Sequence, residues 1–328
     1  MTATRYHEST CKTALNRVQA MPFAWSLNPY RGCTHGCHYC YARATHSFYG
    51  MNAGSDFSSR IVVKTNFAEV LRSELSRPSW RRERVAIGTA TDAYQPCEGR
   101  YRITRGVLEA LVAFRTPATV VTKSTLVLRD ADLLAELARV AGATVSFTVT
   151  TLDRDVWRAV EPGTPPPAQR LAVMQRLVDA GVPCGVFLAP ILPGITDSAT
   201  SIDAVAAAAK THGASSFGAS VLRLAPLVRE HYLGFVAASY PELLPRYERA
   251  FAGTNARPDY LAAIERRIAR IRERHSFADD AMRRRHPQGT EQEAGGHGGG
   301  AHERQMVLPL GVNGMRDGVS SAVALARR

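Results

Sequence analysis

Five short, nearly unbroken apolar runs, separated by segments of helical spacing, constrain this chain more than any other feature. The runs fall at residues 85–88, 118–122, 144–150, 184–189 and 216–222. Between them, residues 102–114, 131–140, 167–180 and 197–211 carry apolar side chains at helical intervals. Continuous apolar runs mark strands buried on both faces, and that burial is what crossover helices provide in a parallel sheet. Residues 23–28 read as a further short strand, which makes about six β/α units. No Gly-rich dinucleotide fingerprint follows the first strand. The pattern therefore predicts an α/β fold, a full or partial β/α barrel with its chemistry at the C-terminal ends of the strands.

Local signals fill in the rest. Residues 41–48 read as a short helix, residues 61–64 as extended chain, and Asn66 as the cap of a helix running to about Ser76. Asp130 leads one helix and Gly181 ends another. Helical stretches at 227–238, 242–251 and 259–274 follow the last strand. The expected organisation is a polar lead-in over 1–18, a core with helical extension over 19–275, and a tail over 276–328. The tail is polar and basic, then Gly-rich, so it reads as mostly disordered. A short apolar motif from Gln305 to Leu310 interrupts it, and His297 and His302 are incidental.

Half of the six cysteines, Cys33, Cys37 and Cys40, stand at C-x3-C-x2-C spacing in the loop after the first strand. Thiolates this close repel one another and oxidise unless a cationic, soft metal centre holds them. Three centres are compatible with the spacing. A structural zinc needs a fourth ligand, from His35, His38 or a distant residue. A ferredoxin-type cluster needs a fourth cysteine, Cys97 or Cys184. A third arrangement is a 4Fe–4S cluster with one iron left open, which is what catalysis at a metal requires.

The stretch from Asn28 to Arg43 contains Asn-Pro-Tyr-Arg-Gly-Cys, followed by Cys-His-Tyr-Cys-Tyr-Ala-Arg, with Tyr39 before the last cysteine. It resembles the radical S-adenosylmethionine (SAM) superfamily, in its spore photoproduct lyase-related branch, over residues 20–275. The resemblance implies a partial (β/α)6 barrel of the radical SAM type. It also implies a 4Fe–4S cluster on Cys33, Cys37 and Cys40 whose free iron binds SAM. Reductive cleavage of SAM would give a 5′-deoxyadenosyl radical that abstracts hydrogen from a substrate, and a flavodoxin- or ferredoxin-type reductant would supply the electron.

The same resemblance carries SAM contacts to several strand ends. Thr89, Thr91 and Asp92 follow the second strand, where such proteins bind the SAM amino group; an Asp accepts from an ammonium and a Thr orients it. This branch often reads Thr-Asp-Pro-Tyr-Gln-Pro there, and Ala93 departs from it. Lys123 and Ser124 close the third strand, where the lysine would meet a carboxylate. Ser146, Thr148 and Thr150 share one face of the fourth strand, so Thr148 and Thr150 are candidates for the SAM ribose. Residues 189–194 resemble the segment that lies against adenine, and Tyr39 would neighbour SAM. DNA photoproduct repair by a lyase-like enzyme is a narrower alternative. The lyase's cysteine hydrogen donor has no counterpart in residues 88–92, however, and Cys97 lies five residues past Asp92. A non-catalytic Fe–S or zinc module is the rival class.

Composition bounds these readings. With 328 residues, 45% hydrophobic and 21% charged, the chain is that of an ordinary globular protein. No apolar run approaches the ~20 residues that span a bilayer, and the polar N-terminus carries no signal-peptide segment, so a cytoplasmic protein without membrane contact is expected. The net charge of +12 favours anionic partners, nucleic acid among them, although the excess is dispersed. Glu161 and Arg170 read as a structural pair, and Cys184 as buried packing.

Overall fold

The computed structural model describes residues 3–277, apart from residues 20 and 22. Ten strands occur among them: β1 (Arg5–Ser9), β2 (Asn16–Arg17), β3 (Trp25–Leu27), β4 (Tyr30–Arg31), β5 (Arg60–Lys64), β6 (Val85–Ile87), β7 (Ala118–Thr122), β8 (Ala143–Thr148), β9 (Cys184–Ile191) and β10 (Ser216–Val221). Seven form one sheet in the order β10-β9-β8-β7-β6-β3-β2. From β3 to β10 every neighbouring pair is parallel. The six β/α units are therefore laid side by side in chain order, as the apolar runs predict. β2 adds an antiparallel edge beside β3.

The runs are strands because their side chains have core on both faces. Val85, Ile87, Val145 and Phe147 have no exposed surface. The crossover helices pack on the outer side with their own apolar stripes. In the helix Ile103–Ala113 these are Val107, Leu108 and Leu111, and in Pro167–Asp179 they are Leu171, Met174 and Leu177. Pro167 opens its helix at the first position, where a missing N–H costs nothing. Asp153 caps Arg154–Val160 by accepting from the N–H groups of Asp155 and Val156. Gly181 ends the Pro167–Asp179 helix at φ +83°, in the left-handed region. Among the described residues, no helix is long and apolar enough to cross a membrane.

Two local expectations change. The lead-in is not separate from the body: β1 pairs in parallel with β5, and β5 pairs with β4 in a second, three-stranded sheet. Residues 61–64 thus belong to a sheet outside the six units. Asn66 stands at the start of Phe67–Leu75 but does not cap it with its side chain. Its amide instead bonds both ways with the Cys11 backbone, at 2.8 and 3.0 Å. Residues 41–48 do form a helix, as a 3-10 helix over Tyr41–Tyr49. The expected tail and its Gln305–Leu310 motif lie outside the described residues.

Candidate active site

The C-terminal ends of the parallel strands open into a cavity of about 240 Å³. The cysteine loop covers it from the side of β3, and Cys33, Cys37 and Cys40 all line it. The loop's shape is set by contacts with four other parts of the chain. The N–H of Cys33 donates to the Phe57 carbonyl at 2.9 Å, and that of His38 to the Val160 carbonyl at 3.1 Å. Gln95 donates to the Gly32 carbonyl and accepts from the Thr34 N–H. Arg43 is buried beneath the loop, donating to the carbonyls of Gly36 and Cys37 and to those of Ala53 and Gly54. Its guanidinium also lies over the Phe57 ring, 5.0 Å from the centroid. Gly163 approaches so closely that a Cβ there would meet the Thr34 carbonyl oxygen at 2.3 Å.

The electrostatics suit a charged centre. Burial pushes the thiols of Cys37 and Cys40 up; Glu161, Cys40 and Cys33 add to this at Cys37, and Cys33 at Cys40. The cations Lys123 and Arg43 oppose this at Cys40, as Lys123 does at Cys37. A cationic centre on the three sulfurs would resolve the conflict. Among the described residues, no three His, Cys, Asp or Glu groups are gathered as one metal ion would need. Sulfurs around a single zinc must crowd to within about 4 Å of one another, from a Zn–S bond of about 2.3 Å. A cluster distributes its thiolates over separate irons and lets them stand farther apart. Three soft thiol donors on one cavity fit either kind of centre in their chemistry.

Other predicted residues fall into two groups. Tyr39, Thr89, Thr91, Asp92, Lys123 and Thr148 line the cavity. Most of their polar atoms are engaged, however. Thr91 donates to the Gly32 carbonyl at 2.6 Å, and Thr89 meets the Asn28 side chain. Asp92 accepts from the Tyr94 and Lys123 N–H groups and from the Thr122 hydroxyl, and its carboxylate lies 3.4 Å from His35 Nδ1. Burial would raise the Asp92 pKa, but His35 and these donors outweigh it and hold it at about 2. Among the described residues no hydrogen bond is made by the ammonium of Lys123, which lies 5.6 Å from the Tyr39 ring centroid. Burial alone would lower its pKa; Cys37 and Glu161 overcome this and raise it.

Ser124 and Thr150 stand outside the cavity lining. Ser124 caps the 3-10 turn Thr125–Asp130 by accepting from the Leu126 N–H. Thr150 donates to Glu161 at 2.8 Å and meets the Tyr39 hydroxyl at 3.2 Å. Glu161 and Arg170 form the buried ion pair expected of them, at 2.5 Å, and the Tyr39 hydroxyl also donates to Glu161. Of residues 189–194, Ala189 and Pro190 line the cavity, joined by a cis peptide within β9.

Sequence reading misses three residues here. The His35–Asp92 contact and the bracing by Arg43 depend on partners that spacing does not reveal. Arg223, just past β10, lines the cavity too, and one arginine in so arginine-rich a chain carries no signal.

Comparison with known proteins follows the same lines. The radical SAM superfamily model matches residues 27–202. An uncharacterized protein of Mycobacterium tuberculosis is 43% identical over 282 residues, covering 84% of this chain and 82% of that protein. An uncharacterized protein of Methanocaldococcus jannaschii is 28% identical over 186 residues, covering 57% of this chain and 67% of that one. In fold, the chain resembles a spore photoproduct lyase mutant with bound AdoMet and dinucleoside spore photoproduct. The TM-score is 0.63 at 17% identity, with 83% of this chain and 79% of that one covered.

Proposed function

Since the chain belongs to the radical SAM superfamily, we propose that it is an enzyme that generates a 5′-deoxyadenosyl radical for hydrogen abstraction. It binds a 4Fe–4S cluster through Cys33, Cys37 and Cys40, and SAM in the adjoining cavity. The observation that carries this reading is the convergence of those three thiols with the polar ends of β6, β7 and β8 on one cavity. When bound, the cluster supplies an electron for reductive cleavage of the SAM sulfonium, and a one-electron donor of flavodoxin or ferredoxin type restores it.

The chain's own residues divide the remaining work. Lys123 holds the SAM carboxylate with its unengaged ammonium. Thr148 meets the ribose, and Ala189 and Pro190 give adenine an apolar wall. Tyr39 has its hydroxyl fixed by Glu161 and Thr150, so its ring is a rigid side of the SAM site. Thr91, Asp92 and Gln95 act by positioning, because their bonds run to the cysteine loop and to the backbone of Lys123. Arg43 carries positive charge beneath the cluster. Return of hydrogen from a protein thiol, as in a lyase-like reaction, has no support here: apart from the three cluster cysteines, no cysteine lines the cavity among the described residues.

The test is spectroscopic and chemical. Anaerobic reconstitution should give about four irons per chain. The reduced paramagnetic signal should change when SAM is added, and reductant should then release 5′-deoxyadenosine. A signal indifferent to SAM, together with no 5′-deoxyadenosine, refutes the reading.

A further inference from the structure

The cavity contains a second cationic group that the SAM reading does not use. Arg223 follows β10, and its backbone is anchored by an antiparallel bridge to Asn255. The next N–H, that of Leu224, donates to the Thr254 carbonyl at 2.8 Å. The backbone position is thus fixed, while Nη1 of the guanidinium is buried and has no hydrogen-bond partner among the described residues. Burial pulls its pKa down.

Arg223 as a whole is half-buried, but a guanidinium N–H buried without an acceptor is unfavourable. Native folds keep such a group where a ligand completes it. The fork of N–H donors matches the two oxygens of a carboxylate or phosphate. SAM's own carboxylate is a poor candidate, because Lys123 already offers it a charge beside Tyr39. β7 and β10 also have β8 and β9 between them in the sheet. Three strand spacings amount to roughly 14 Å along the sheet. The two cations therefore reach one cavity from different strands of the sheet.

We propose that Arg223 anchors an oxyanion of the substrate, a carboxylate or a phosphate, at the β10 side of the cavity. This rests on the reading that SAM occupies the Lys123 side.

The test measures binding by the full-length, reconstituted protein. Labelled inorganic phosphate and labelled acetate are titrated by equilibrium dialysis, with and without SAM, and SAM binding is titrated separately. Wild type should bind one equivalent of at least one oxyanion with SAM present. Arg223→Gln should weaken that binding at least tenfold, and Arg223→Lys by an intermediate factor. SAM affinity should fall at least tenfold in Lys123→Gln but less than threefold in Arg223→Gln. Preference for phosphate or for acetate assigns the class of the substrate's anion. If Arg223→Gln does not fold, Arg223→Lys carries the comparison. The proposal is overturned if SAM displaces the bound oxyanion, if Arg223→Gln weakens SAM as much as Lys123→Gln does, or if oxyanion binding ignores Arg223. If wild type binds the oxyanion through Arg223 but binds no SAM, the SAM reading falls and the oxyanion site stands.

Discussion

Glu161 is almost fully buried, and its carboxylate is shared among Arg170, Tyr39, Thr150 and Thr164. Burial alone would raise its pKa. Arg170 and Lys123 outweigh that and lower it from 4.5 to about 2. A depressed carboxyl pKa adds stability above the unfolded value, and the contribution is lost as pH falls through the folded one. Glu161→Gln removes the charge while keeping the shape, and it leaves Arg170 buried without its counter-charge. The expected loss is about 3–5 kcal/mol at pH 7, the usual result of breaking a buried pair from one side. Urea midpoints of the two proteins should differ at neutral pH and converge as pH falls from about 4.5 towards 2. A constant difference across that range refutes the assignment. Arg43 makes the complementary case. Four of its five N–H donors reach four carbonyls in a fixed fork, a pattern that the three donors of a lysine cannot reproduce. Arg43→Lys should therefore lower iron content after reconstitution by half or more, with little change in far-UV circular dichroism.

At the scale of elements, the turn from Glu161 to Gly163 fixes the cysteine loop, with the Gly163 N–H donating to the His35 carbonyl at 3.0 Å. A methyl group at Gly163 would collide with the backbone of Thr34 and His35, which a rotamer change cannot relieve. Gly163→Ala should push the loop outward and reduce bound iron several-fold. Gly181→Ala is the control. It meets nothing within 4 Å. Its φ of +83° is nevertheless unfavourable for alanine, and a left-handed alanine costs about 1–2 kcal/mol. That variant should lose stability in a denaturant titration while keeping its iron. If both variants keep full iron, the turn does not control the loop. Gly181 and the six parallel strands were legible in the sequence, because a C-cap glycine and a two-faced apolar run are local signals. β1 was not, since Arg5–Ser9 is mostly polar and becomes a strand only by pairing with β5. Asn66 misled for the same reason: its true partner, Cys11, lies 55 residues away. Within the site, cysteine spacing was legible, whereas alternation along β8 put Thr148 and Thr150 together. The chain leaves the strand at Thr148, and Thr150 turns to Glu161 instead.

Across the whole molecule, the six cysteines separate into three at the mouth of the strands and three elsewhere. Cys184 starts β9, at the opposite end of that strand from the cavity, where its thiol meets the Val182 carbonyl at 3.4 Å. Cys97 is 2% exposed and belongs to the main apolar core. Cys11 lies beside Asn66. A fourth protein ligand would have to come from one of these or from a histidine, and His38 stacks instead on Phe235 with ring centroids 4.2 Å apart. Single alanine substitutions separate the possibilities. Cys33→Ala, Cys37→Ala and Cys40→Ala should each abolish the 4Fe–4S absorption after reconstitution. Cys97→Ala, Cys184→Ala and His38→Ala should keep about four irons per chain and the SAM-induced change in the reduced signal. The first two truncate small buried side chains and should show only a lowered melting temperature. Loss of the cluster in Cys97→Ala or His38→Ala, as complete as in Cys37→Ala, would mean a fourth protein ligand. The iron would then have no open position for SAM, and the protein would be an electron carrier or a structural module rather than an enzyme of radical chemistry.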